Sequence, residues 1–194
     1  STAYGVVIQR YGTVRDVNID LFIANGSWPF HDTVHDHSLT LPGDSPYALT
    51  VAALDVDAPY LQESYSSEGP TNGPGGVASG GAIKPDLAAY ANVSTASYNT
   101  GSYKFNGTSS ACPHVAGAAA LVLDAFPAYG ANELQGYLQA RAVDMGAAGK
   151  DNQFGYGRLH LGDPPMSSTN TPTPTLTRTP TPTRTATPTL TRTP

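Results

Sequence analysis

Phe105-Asn106-Gly107-Thr108-Ser109-Ser110-Ala111-Cys112-Pro113-His114-Val115-Ala116-Gly117 is the stretch on which the fold turns. An Asn-Gly pair and three hydroxyl residues lead into a run of Ala, Val, Leu and Gly that continues to Phe126. The run predicts a helix that begins near Thr108 or Ser109, is apolar around most of its girth and therefore lies central and buried. Pro127 should stop it. At such a helix start the backbone N–H groups lack intrahelical acceptors and the positive end of the helix dipole is exposed. Negative charge developing beside Ser109 would be stabilised there. Gly107 permits the tight turn. Pro113 removes the donor that would bond the Ser109 carbonyl, a loss tolerated more easily near a helix start than in its middle. Taken alone, the same residues also describe a turn and an N-cap ahead of a close-packed structural helix.

Outward from this string, Ala131 to about Val143 mixes Leu134, Tyr137, Leu138 and Ala142 with Glu133, Gln135, Gln139 and Arg141, an amphipathic second helix. Upstream, Ala48-Leu-Thr-Val-Ala-Ala-Leu54 has the length of a buried strand. Strand, buried helix and covering helix in that order imply an α/β layered fold. Earlier still, Tyr4–Arg10 and Val17–Ile23 read as two antiparallel strands, closed by Asn25-Gly26-Ser27 and Trp28-Pro29. Gly69 to Gly81 is glycine-rich but lacks the Lys-Ser/Thr ending of a phosphate loop, so nucleotide binding is not expected.

Composition narrows the function classes. The chain has 194 residues, 39% hydrophobic and 13% charged, with 20 glycines, which fits one domain with chain left over. Its single Cys excludes a disulfide framework. The longest mainly apolar run, Val115 to Phe126, falls short of the roughly 20 residues that cross a bilayer, so no membrane span is expected. Before Pro164 there are seven basic residues against all 15 acidic ones, a net −8, which disfavours nucleic acid as a partner. From Thr169 every second residue is Thr, and the prolines at 172, 174, 180, 182, 188 and 194 remove ladder donors, so this tail should be a disordered, extended spacer. The opening Ser1-Thr2-Ala3-Tyr4 and the close in mid-repeat at Thr193-Pro194 read as a fragment of a longer protein.

The string around Ser109 resembles the nucleophile motif of the subtilisin-like serine peptidases, in which Gly-Thr-Ser opens a buried helix and Pro-His-Val-Ala-Gly follows. Ser45-Pro46, Leu49–Asp55, Tyr65-Ser-Ser-Glu-Gly-Pro70, Lys84-Pro-Asp-Leu-Ala-Ala89 and Phe154-Gly-Tyr-Gly-Arg-Leu159 resemble that family's landmarks in the same order. The resemblance covers roughly residues 42 to 161. It implies a partial α/β domain of subtilisin-like three-layer type with a central parallel sheet. Residues 1–41 would then be a β-rich insertion or the start of the fragment, 42–162 the C-terminal part of the catalytic domain, and 163–194 the Thr/Pro linker.

The activity implied is peptide-bond hydrolysis with Ser109 as the attacking group. The partner would be a polypeptide substrate, and the upstream part of the same domain would be required, since the family's Asp-Ser/Thr-Gly and His-Gly contexts do not occur here. Secretion is implied by the tail and by the family's habits. Ser110 stands where many relatives carry an oxidisable Met, which implies better resistance to peroxide.

Other candidates are weighed against this site. His114 lies five residues along the helix from Ser109, a rotation of about 140°, and reads as a hydrogen-bonded core histidine instead of the base. Asp32 and His35 are too close together in the chain for triad members, and Asn25, although followed by Gly, is left without an oxyanion role. His31, His35 and His37 echo a zinc helix, but Pro29, the β-branched Thr33-Val34 and Pro42-Gly43 indicate a polar loop. Cys112 reads as a small buried filler. Ala89-Tyr-Ala-Asn92 replaces the family's usual Ala-Pro-Gly, which puts the local loop shape in question. Tyr47 and Asp86 fall near calcium positions of some relatives with incomplete ligand sets, so no metal and no cofactor are assigned. The rival classes are a non-catalytic subtilisin-like scaffold module and a metal-dependent hydrolase on the three histidines.

Overall fold

The computed structural model describes residues 34–76, 79–97, 99–100 and 103–163, together with Gly12. The expected strands at 4–10 and 17–23, the residues His31, Asp32 and Asn25, and the Thr/Pro tract lie outside the described residues.

Strand β1 (Val51–Asp55) pairs in parallel with β2 (Leu87–Ala91), register Val51 to Leu87 and Asp55 to Ala91. β1 starts three residues later than the apolar run suggested. In the lead-in, side-chain bonds take the place of ladder bonds: the Thr50 N–H donates to Asp86 Oδ2 at 2.8 Å, and the Thr50 hydroxyl donates to the Gly43 carbonyl at 2.5 Å. The segment 157–159 extends the sheet beyond β2. Ala88 N–H donates to Gly157 O, and Leu159 N–H to Ala88 O, at 2.9 and 2.7 Å. Gly157 has φ 112°, and any side chain there would collide with the Val143 backbone alongside. A short hairpin, β3 (Asn99–Thr100) and β4 (Tyr103–Lys104), leads from β2 to the helices α1 (Thr108–Ala125) and α2 (Ala131–Arg141).

Strand period two divides the side chains between the faces of the sheet. Ala53, Leu87, Ala89 and Ala91 meet Ala111, Val115, Ala118 and Val122 of α1, with Leu138 of α2 in the same cluster. Alanine on the strands lets α1 lie close. Ala52, Leu54 and Ala88 point the other way, against Tyr60, Met145 and Phe154. The described residues therefore form a helical layer, a central parallel sheet and a layer of loops.

The helix bounds agree with the sequence expectation. Phe126 caps α1, its N–H donating to Val122 O at 2.8 Å, and Pro127 follows. The expected burial of α1 is corrected. Only Ser110, Ala111, Val115, Ala118 and Val122 are buried, while Ala116, Gly117, Ala120, Leu121 and Leu123 are exposed. Apolar composition all round shows that a helix tolerates being enclosed. It does not supply the enclosing residues, and those described here cover one face only. Cys112 is corrected with it: the thiol is exposed, because Ala111 and Val115 take the inward positions.

Candidate active site

Ser109 is the second residue of α1 and is exposed. The helix starts where it does because Gly107, the N-cap, takes φ 85° and ψ 167°, a conformation that residues with a side chain rarely adopt. Space is not the constraint, since a Cβ on Gly107 would meet nothing closer than the Ser109 amide nitrogen at 3.6 Å. Ser110 N–H and Ala111 N–H both donate to Gly107 O, at 2.9 and 3.4 Å. The Ser109 N–H and hydroxyl have no partner among the described residues. A hydroxyl oxygen and an N–H, both without a partner among the described residues, thus share the exposed, positive end of one helix.

The neighbouring serine is placed oppositely. Ser110, about 100° further round the helix, is fully buried and its hydroxyl donates to Tyr90 O at 3.3 Å. His114 Nδ1–H donates to Ser110 O at 2.8 Å, and its half-buried ring meets Tyr90 edge-on, centroids 5.8 Å apart. His114 therefore faces away from Ser109. Beside the helix start lies an open depression of about 310 Å³ bordered by Phe105, Pro113 and His114.

One contact had no signal in the sequence. The Gly107 N–H donates to the Tyr65 hydroxyl oxygen at 2.9 Å across 42 positions of chain. Partial burial raises the Tyr65 phenol above its ordinary value, the Gly107 N–H opposes this, and the Glu63 and Asp55 carboxylates add to it, so the group stays neutral. Those carboxylates are themselves tied together. Asn92, at φ 57° just past β2, donates from Nδ2 to Glu63 Oε1 at 2.5 Å and to Asp55 Oδ2 at 3.3 Å. The strand runs through Ala89-Tyr-Ala91, and the turn comes at Asn92.

Asp86 immediately precedes β2. Its carboxylate accepts from Lys84 Nζ at 2.5 Å and Lys150 Nζ at 2.9 Å, as well as from the Thr50 N–H. Burial alone would raise its pKa; the Lys84 hydrogen bond, the Thr50 N–H and Lys150 together outweigh that and hold it below the ordinary carboxylate value. A carboxylate engaged by two ammonium groups does not fit a calcium ligand, and the Tyr47 side chain is almost wholly exposed. His35 is exposed and His37 half-buried in the irregular segment 34–40. Among the described residues no three His, Cys, Asp or Glu side chains converge as a metal site would require.

The family model of the subtilase family matches residues 23–157, more than half of the chain. The chain belongs to the subtilase family. It is 42% identical over 84 residues to an extracellular serine protease of Serratia marcescens, covering 43% of this chain and 8% of that protein. It is also 30% identical over 119 residues to subtilisin DY of Bacillus licheniformis, covering 61% of this chain and 37% of that one. Among solved structures, fervidolysin from Fervidobacterium pennivorans aligns with a TM-score of 0.42 at 25% identity, over 65% of this chain and 21% of that one. The chain thus spans well under half the length of each of these relatives.

Proposed function

We propose that this chain carries the nucleophile-bearing part of a serine endopeptidase, with Ser109 attacking the scissile carbonyl of a polypeptide. The reading rests on one observation above all: within the family-matched stretch, an exposed serine hydroxyl and its own N–H, unpartnered among the described residues, stand together on the first turn of α1. Ser109 Oγ would bond to the acyl carbon, giving its proton to a base, while the Ser109 N–H and the helix dipole hold the oxyanion. The amine would leave with that proton, and water would then hydrolyse the ester and free the serine. His114 is turned toward Ser110 O, so the base and its orienting carboxylate would come from a further part of the same catalytic domain. Alone, this chain should hydrolyse peptides orders of magnitude more slowly than the complete site. Secretion is part of the proposal, in line with the extracellular naming of the Serratia marcescens relative.

Fluorophosphonate labelling of the full-length protein tests this reading. One phosphonyl group should attach at Ser109, and Ser109→Ala should abolish both labelling and peptide hydrolysis. Equal labelling of the two proteins sinks the proposal.

A further inference from the structure

We propose that Tyr65 is a positioning residue for Ser109, its hydroxyl oxygen holding the peptide on which the nucleophile's helix is hinged. The inference rests on the peptidase reading above. Gly107 joins two peptide planes, each rigid in itself, so its φ and ψ alone set the direction in which Thr108 and Ser109 leave the preceding loop. A glycine at φ 85° has no side chain to restrict those angles. The restriction comes from its two polar groups. The carbonyl accepts the Ser110 and Ala111 N–H groups, which ties one plane to the helix. The N–H donates to Tyr65 Oη at 2.9 Å, which ties the other plane to the body of the domain.

Tyr65 is suited to that task because residues on both sides of it in the chain are bonded to one residue of β1. Glu63 N–H donates to Ala53 O at 3.0 Å, and Ala53 N–H donates to Ser66 Oγ at 3.0 Å, so the bonds to Ala53 bracket Tyr65. Asp55 N–H to Leu61 O, at 2.8 Å, fixes the preceding turn of chain to the same strand. The phenol thereby links β1 to the Gly107 N–H, beside the Ser110 hydroxyl bond to Tyr90 O of β2 and the Phe105–Val93 backbone pair that hold the chain on either side. An attacking oxygen must be held in a narrow range of position and direction to react well. The bond concerns aim, and Tyr65 need not touch the reacting atoms.

The test uses the full-length protein bearing Tyr65→Phe, which keeps the ring and removes only the acceptor oxygen, with kinetics taken where circular dichroism shows both proteins folded. The fluorophosphonate labelling rate and kcat on a peptide substrate should each fall about three- to tenfold, the weight of one ordinary hydrogen bond, while KM stays within about twofold. Amide exchange at Gly107 should quicken, a direct readout of the lost acceptor. Unchanged labelling and kcat, or a loss carried wholly by KM, overturns the positioning role and leaves the nucleophile assignment standing. Unsubstituted protein that labels no faster than Ser109→Ala removes the nucleophile assignment, and the positioning role with it.

Discussion

Along α1, Ala111, Val115, Ala118 and Val122 are buried against strand alanines, whereas Cys112, Ala116, Leu121 and Leu123 on other sides of the helix stay open. Both sets are small or apolar, so composition does not separate them. What separates them is the partner. The inward set meets a sheet face already lined with Ala53, Ala89 and Ala91, and closely spaced small side chains let the helix settle onto it. Of the outward set, Cys112 and Ala116 border a groove of about 290 Å³ between α1 and α2 that includes Leu134 and Gln135. A residue's type shows what it tolerates, and its neighbours decide what a substitution costs.

The widest separation of the two faces should come from matched acidic substitutions. Ala111→Asp puts a carboxylate where the residue is fully buried with no partner, a loss of more than about 4 kcal/mol, whereas Ala116→Asp on the open face should stay within about 0.5 kcal/mol. Urea unfolding of both variants checks this. Equal midpoints would mean that the assignment of inward and outward faces is wrong.

Next in size is the buried cluster around Asp86, where the chain enters β1 and β2. Asp86→Ala would strand Lys84, whose side chain is 5% exposed, and should cost roughly 3–5 kcal/mol. The same carboxylate sets an acid limit. Its folded pKa is depressed, so its contribution is complete above the unfolded value of about 3.9 and fades as pH falls through the lower folded value. Unfolding temperature measured from pH 6 downward should drop steeply below about pH 4. Asp86→Asn should flatten that drop; an identical pH profile in the variant would assign the acid sensitivity elsewhere. The smallest effect is chemical. Cys112 should react with a disulfide reagent in the native protein at close to the rate of the unfolded chain, with little change in stability. Strong protection of the thiol would show that something covers the open face in solution.

The elements legible in the sequence are those that short-range rules govern. The start of α1 follows from Gly107 and the hydroxyl residues after it, its end from Pro127, and α2 from its alternation of apolar and polar positions. β2 was harder to foresee, because Leu87-Ala-Ala-Tyr-Ala91 has weak strand preference and becomes a strand by pairing with β1 and with 157–159. Ser109 stood out through its string, and helical rotation already turned His114 to another side, where its ring meets Ser110 O. Tyr65 carried no local sign of a role.

By itself the sequence determined the helices, the candidate nucleophile at the head of the first, and the α/β class, since capping, proline chemistry and periodicity act within a few residues. Tertiary structure alone decided which side of α1 is covered, that Tyr65 holds Gly107 from 42 positions away, and that Lys150 reaches Asp86 across 64. Such pairings depend on how distant segments meet in space, and no rule of local composition encodes where a chain returns to itself.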